Sequence, residues 1–164
     1  LDGFDTADKK FHFKADWQRF GCRWDSLPVL PDHFDVIDNA SDNKPYRLVT
    51  APARTFLNST FTETPSSRKR EQRPTVLMHP EDSSALGVTD GQRVQIGNER
   101  AQVTVHVQAQ SGQQRGVVVV EGIWPNQYFD NGIGINALTS AEPGWPNGGA
   151  VFHDTAVWIR ALSD

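Results

Sequence analysis

A closed, mainly β barrel with a few short helices is the fold this sequence predicts. Three observations carry it. Ala101–Gln108 alternates cleanly, with Ala101, Val103, Val105 and Val107 facing one way and Gln102, Thr104, His106 and Gln108 the other, which is the period of a half-buried strand. Other apolar runs of strand length stand around it, separated by tight turns. Helical signals are confined to one or two short segments, so sheet must supply most of the core. That core is modest: the 164 residues are 37 % apolar, and the mean hydropathy is −0.52.

Taken in order, residues 1–45 read as irregular. Phe11-His12-Phe13 has the alternation of a short strand, and Asp25–Lys44 has the Pro, Asn, Ser and Asp content of a connector, expected to wrap the domain's surface. Tyr46–Thr50 is strand-like and is stopped by Ala51-Pro52. Thr60–Arg73 is polar and charged and reads as a mobile loop. Thr75–Met78 is a second strand. His79-Pro80-Glu81-Asp82 opens a short helix, with Pro at its first position, acids in its first turn and Gly87 to close it. Asp90-Gly91 turns the chain into a strand at Arg93–Ile96, and Gly97-Asn98 turns it back. After Ala101–Gln108 comes Val117–Val120, read as a strand buried on both faces. Gly122–Gly149 is rich in Gly and Pro, with Ile135–Leu138 as an apolar island. Thr155–Ala161 is the closing strand.

Composition excludes several classes. No apolar run approaches the roughly 20 residues of a membrane-spanning helix. The single cysteine, Cys22, gives no disulfide framework or cysteine metal cage, and its expected role is structural. His79 and His106 lack metal-ligand spacing; His79 reads as the start of a helix and His106 as solvent-facing. The net charge of −4 argues against non-specific nucleic-acid binding. The charge is uneven, because residues 47–73 carry six basic and two acidic groups in an otherwise acidic chain. Arg68–Arg73 reads as a solvated face, and Arg47 with Arg54 as a candidate anion site.

Four segments resemble a known family. They are Arg47–Ser59 (RLVTAPARTFLNS); Val76–Asp82 (VLMHPED) with Leu86–Val94 (LGVTDGQRV); Ile135–Thr139 (INALT); and Gly149–Val157 (GAVFHDTAV). In this order and spacing the chain resembles the C-terminal dinucleotide-binding domain of the DMSO-reductase-type molybdopterin oxidoreductases. The opening stretch Gly3–Phe13 resembles that family's lead-in, with Ala7 and Lys9 where a Pro and a Gly usually stand.

The resemblance implies a double-psi β-barrel, with residues 46–164 as the dinucleotide-binding domain and residues 1–45 as a flank from a preceding domain. It implies a molybdopterin guanine dinucleotide cofactor, present as molybdenum (or tungsten) bis-MGD in a longer protein whose other domains are this chain's partners. The metal-ligating residue and any iron–sulfur motif are expected upstream. The chain alone is expected to fold without the cofactor and to be inactive. Formate dehydrogenase-like and nitrate reductase-like parents both fit. A cytoplasmic location is expected, with a periplasmic one left open because the true N-terminus is absent.

The cofactor-binding residues implied are Thr50, Pro52, Arg54, Thr55, Asn58, Ser59, Asn136 and His153, with no catalytic or metal-binding residue. The chemistry suits the assignment. Thr50, Thr55 and Ser59 offer hydroxyls to a pyrophosphate, Arg54 a planar cationic fork, and Asn58 a donor and an acceptor for a heterocycle edge. Asn136, set in an apolar island, reads as a buried amide bonded either to local backbone or to the cofactor. His153 precedes the last strand, where a cofactor contact and a pairing with Asp154 are the two readings. Tyr128 reads either as a contact to the cofactor or substrate funnel or as a core aromatic. Trp124, Tyr128, Phe129 and Trp145 are candidates for an apolar docking face, the other reading being that they pack inward. The alternative class is a stand-alone double-psi barrel that binds a protein or peptide through its loops. A hydrolase lacks support, because no Gly-x-Ser-x-Gly elbow is present.

Overall fold

The computed structural model describes residues 3–20, 27–33, 38–144, 148–153 and 155–162, apart from the side chains of Gln18 and Phe20. Cys22, Trp145 and Asp154 lie outside the described residues. The chain divides into two compact units, Leu1–Val36 and Ile37–Asp164.

In the first unit, Phe11-His12-Phe13 is not a strand. It pairs with no strand among the described residues, and Phe11 instead packs against Phe4 and Phe13, with centroids at 5.4 and 4.8 Å. The lead-in turn closes through Phe4 N–H donating to the Lys9 carbonyl, and Lys9 adopts the left-handed φ of 58° that a glycine reaches more readily. A short 3-10 turn at Trp17–Phe20 follows, and the Trp17 indole N–H donates to the Pro28 carbonyl.

Among its described residues the second unit holds six strands and two α-helices, besides short 3-10 turns. They are β1 (Tyr46–Ala51), α1 (Pro65–Glu71), β2 (Thr75–Met78), α2 (Pro80–Ala85), β3 (Arg93–Gly97), β4 (Gln102–Ala109), β5 (Val117–Glu121) and β6 (Thr155–Ala161). The strands close in the order β1-β5-β2-β4-β3-β6. The pairs β1–β5 and β2–β4 are parallel and the remaining pairs antiparallel. Two parallel pairs joined through crossing connections make this a double-psi β-barrel.

The alternation read from sequence sets the core. Leu48, Val76, Met78, Val94, Ile96, Val103, Val105, Val107, Val118, Val120, Val157 and Ile159 fill the interior. β5 departs from expectation: Val118 and Val120 are buried, whereas Val117 and Val119 are only half-buried, because the barrel's outer face beside β5 is not fully covered. Gly97 ends β3 where a Cβ would lie 2.5 Å from the Trp158 ring and 2.9 Å from the Ala101 carbonyl oxygen, so only glycine fits there.

α2 starts as read: His79 Nδ1 accepts the Glu81 backbone N–H at 3.1 Å, and Gly87 closes the helix at φ 69°. The segment expected to be a mobile loop instead contains α1. Pro65 fixes the first helical φ, and Arg68, Lys69 and Arg70 occupy the last turn, where cations suit the helix dipole. The helix buries no residue and is held by its ends. Glu71 accepts the Thr55 N–H at 3.0 Å and also the Thr55 hydroxyl, while Arg68 donates to the Tyr128 hydroxyl at 3.1 Å. Arg68 is therefore not a merely solvated charge.

The connector lies on the barrel's surface from Asp38 onward. Asp38 meets Arg100, Lys44 meets Glu99 at 2.8 Å, and Arg47 donates to the Asp38 carbonyl. His106 is half-buried rather than solvent-facing, because Arg93 on β3 and Thr75 on β2 flank it in register. Burial lowers its pKa, and the nearby Arg73 charge adds to the effect. The unfolded chain then binds this proton more readily than the folded one, so stability falls as pH drops below the ordinary value of 6.5. His106→Gln is expected to flatten the loss of stability between pH 7.5 and pH 5 in urea unfolding. An unchanged pH slope would contradict the assignment.

Candidate functional site

Topology brings three loops to one end of the barrel. β1 and β5 run parallel, so Pro52 and Gly122 leave from the same rim. β6 runs antiparallel to β1, with Thr155 opposite Leu48, so the residues preceding β6 start at that rim too. The Gly122 N–H donates to the Ala51 carbonyl at 2.7 Å and locks two of these loops together. Gly122 sits at φ 81°, and a Cβ there would come within 3.1 Å of Ala53 and Phe56, which fold closely over it.

A cleft of about 540 Å³ opens at this rim. It is lined by Thr50, Ala51, Pro52, Asn58, Gly122, Ile123, Asn136, Thr139, Phe152 and His153. Of the residues picked out in the sequence, it gathers Thr50, Pro52, Asn58, Asn136 and His153. Asn58 stands at φ 51° in a two-residue turn closed by reciprocal Leu57 and Thr60 backbone bonds. An Asn tolerates that conformation well, and it leaves the side chain exposed.

Arg54, Thr55 and Ser59 do not line the cleft. Arg54 is exposed on the same loop and makes no ion pair among the described residues. The hydroxyl and N–H of Thr55 are taken by Glu71. Ser59 is exposed in the turn, and its carbonyl accepts the hydroxyl of buried Thr62 at 3.0 Å. Arg47 points to the connector and not into the cleft.

Asn136 is exposed, not buried as its apolar neighbours suggested. Ile135–Leu138 forms a 3-10 turn, in which side chains three apart stack on one face. Ile135 and Leu138, at 1 % and 0 % exposure, go inward and leave Asn136 outward. The Asn136 carbonyl accepts the Thr139 hydroxyl at 2.8 Å, while its side-chain amide is open to the cleft. His153 is exposed beside Phe152, and its expected partner Asp154 lies outside the described residues.

Of the two readings for the loop rings, the described ones follow the inward one, while Trp145 lies outside the described residues. Trp124 and Phe129 are buried, and Trp124 meets Phe56 and Tyr128 edge-on at 4.9 and 5.2 Å. Burying these rings gives the Gly-rich loops their own small core. Tyr128 is half-buried on that cluster and does not line the cleft.

The sequence reading missed Ile123, Thr139 and Phe152 as cleft residues. Thr139 directly follows the island that flagged Asn136, and Phe152 directly precedes His153, so adjacency was the available signal. No group of three His, Cys, Asp or Glu side chains that could hold a metal ion occurs among the described residues. No helix among them is long and apolar enough to cross a membrane.

The donor set fits a nucleotide-bearing cofactor. Two side-chain amides suit heterocycle edges and an imidazole suits phosphate or ribose oxygens; the Thr50 and Thr139 hydroxyls, which donate to the Phe152 and Asn136 carbonyls, can accept from ribose or base donors; and Pro52, Ile123 and Phe152 offer an apolar wall. Fold and cleft thus define a double-psi barrel domain with a ligand-sized cleft at one rim. Residues 46–156 match the model of the molydopterin dinucleotide binding domain, and the chain belongs to that family.

The chain is 31 % identical over 139 residues to a probable oxidoreductase, YoaE, of Bacillus subtilis, spanning 84 % of this chain and 20 % of that protein. It is 27 % identical over 110 residues to the respiratory nitrate reductase alpha subunit of Haloferax mediterranei, spanning 66 % of this chain and 11 % of that one. The chain therefore spans a fifth or less of the length of these relatives. Acetylene hydratase from Pelobacter acetylenicus shares the fold, with a TM-score of 0.74 and 14 % identity, over 98 % of this chain and 24 % of that structure.

Proposed function

We propose that this chain holds the guanine nucleotide portion of a molybdopterin guanine dinucleotide, as the closing domain of a larger molybdenum or tungsten oxidoreductase. In this reading residues 46–164 are the binding domain, and residues 1–45 connect it to other domains of the same polypeptide. The parent enzyme carries the cofactor in its bis form and is formate dehydrogenase-like or nitrate reductase-like, in the cytoplasm.

The observation that carries the reading is the rim cleft. There the amides of Asn58 and Asn136 project beside an apolar wall, and none of the described lining residues carries a carboxylate. The bound cofactor supplies the redox-active metal. This chain's own residues bind and orient: Asn58 and Asn136 read the base edge, the Thr50 hydroxyl, which donates to the Phe152 carbonyl, accepts from a ribose hydroxyl, His153 meets phosphate oxygens, and Pro52, Ile123 and Phe152 exclude water. Arg54, exposed on the Thr50–Ser59 loop, offers its guanidinium to a phosphate extending beyond the cleft.

Titration of the 15N-labelled chain with guanosine diphosphate tests this. Amide signals of Thr50, Asn58, Asn136 and His153 are expected to move together. Asn58→Ala and Asn136→Ala are each expected to weaken binding by about tenfold, the scale of one or two lost hydrogen bonds. No movement at millimolar nucleotide would overturn the reading.

A further inference from the structure

We propose that Asn98 and Arg100, on the β3–β4 turn outside the cleft, are positioning residues for it. They fix the Ile135–Leu138 turn so that Asn136 and Thr139 face the ligand, and Asp38 fixes Arg100 in turn. The inference rests on the nucleotide reading for its ligand, but its geometry stands apart from it.

Everything converges on one carbonyl. The Asn98 Nδ2 donates to the Leu138 carbonyl oxygen at 2.8 Å, and Arg100 Nη1 donates to the same oxygen at 3.1 Å. Leu138 is fully buried, and its carbonyl lies in the peptide that leads into Thr139. Two residues earlier, the Asn136 carbonyl accepts both the Thr139 N–H and the Thr139 hydroxyl, so the turn is a closed unit whose orientation follows that of its last peptide.

The donors are themselves fixed. Asn98 is 8 % exposed, and its Oδ1 accepts the Arg100 N–H at 3.0 Å and the Ala101 N–H at 3.4 Å. Both faces of its amide are thus used, which sets the side chain's orientation. Arg100 is held by a two-pronged bond to Asp38, at 2.7 and 2.8 Å, and the Asp38 carboxylate raises the Arg100 pKa. Asp38 belongs to the connector. A planar fork that serves a carboxylate and a carbonyl together is a role for which lysine does not substitute. The 3-10 turn has only four residues and weak internal bonding, so its set depends on these external donors. The result is a continuous path from connector to cleft: Asp38, Arg100, the Leu138 carbonyl, then Asn136 and Thr139.

The test compares three variants of the chain by amide signals and guanosine diphosphate titration. Asn98→Asp keeps both acceptor bonds but removes the donor to Leu138. Arg100→Lys keeps the charge but loses the fork. Val105→Ala, at a core position that does not line the cleft, serves as a stability-lowering control. Asn98→Asp is expected to move the Asn136, Leu138 and Thr139 signals while leaving Thr50 and Asn58 in place, and to weaken nucleotide binding about tenfold. Arg100→Lys is expected to move the same signals by less and to serve as the readout if Asn98→Asp does not fold. Val105→Ala is expected to leave affinity within about twofold.

Unmoved Asn136 and Thr139 signals in both turn variants would overturn the proposal, as would an equal loss of affinity in the core control. If the parent chain itself ignores the nucleotide, the nucleotide reading fails, and the positioning role is judged by the signals alone.

Discussion

Asp38→Ala is expected to destabilise the chain by about 3 kcal/mol, although Asp38 belongs neither to the apolar core cluster nor to the described lining of the cleft. The carboxylate is 7 % exposed, and both its oxygens are taken by Arg100. Removing it takes away the guanidinium's two-pronged partner and leaves only the more distant Glu99, at 4.0 Å, as an ion-pair partner. The loss falls at the low end of the range for broken buried pairs, because Arg100 keeps 24 % of its side chain in solvent and can recruit water there.

Two further variants separate the lost pair from lost packing. Replacing both partners by apolar residues, Asp38→Leu with Arg100→Met, is expected to recover most of the stability, since no charge is left unpaired. Urea unfolding of the single and double variants gives the comparison. A single-variant loss below about 1 kcal/mol, or a double variant worse than the sum of its parts, would contradict a buried pair at this position.

Leu48→Ala is expected to cost about 2–5 kcal/mol, with the value in the upper half of that range. Leu48 is fully buried on β1, opposite Val118 of β5 and Thr155 of β6. Hydrogen-bonded neighbours on both sides keep the strand from moving inward, so a closed barrel cannot collapse onto the cavity. The same strand carries Thr50 two residues later, so the cleft rim should loosen together with the core. Leu57→Ala is the contrast: at 63 % exposure it is expected to stay within about 0.5 kcal/mol of the parent. Equal losses for the two leucines would contradict the placement of β1 between β5 and β6.

Much of the barrel was legible because strand alternation is a local signal. Val103, Val105 and Val107 announce an inner face, and β4 buries all three. α2 was legible for a similar reason, since His79-Pro80-Glu81-Asp82 encodes its own cap, first turn and dipole partners. α1 was missed because it buries nothing and so has no apolar periodicity to read. Its stability comes from Glu71 and Arg68 reaching Thr55 and Tyr128, residues 16 and 60 positions away.

The candidate site divides along the same line. The residue types of the Thr50–Ser59 loop were readable, since a strand end followed by hydroxyls, an amide and a guanidinium describes an anion- and heterocycle-facing loop. Which of them reach the cleft was not. Thr55 loses its donors to a helix that the sequence did not reveal.

For Trp124 and Phe129 the sequence left exposure and inward packing both open, and Trp124 reaching Phe56, 68 positions away, goes with the inward one. Asn136 looks buried among apolar neighbours, yet a 3-10 turn sends Ile135 and Leu138 in and the amide out.

By itself the sequence determined the strands, the short capped helix and the family to which these motifs belong. Those depend on periodicity and residue chemistry within a few positions. The tertiary structure decided which loops share a rim, which polar groups stay free for a ligand and which are consumed internally. Those depend on strand order and on bonds between residues tens of positions apart, such as Asn98 and Arg100 to the Leu138 carbonyl, which no local pattern encodes.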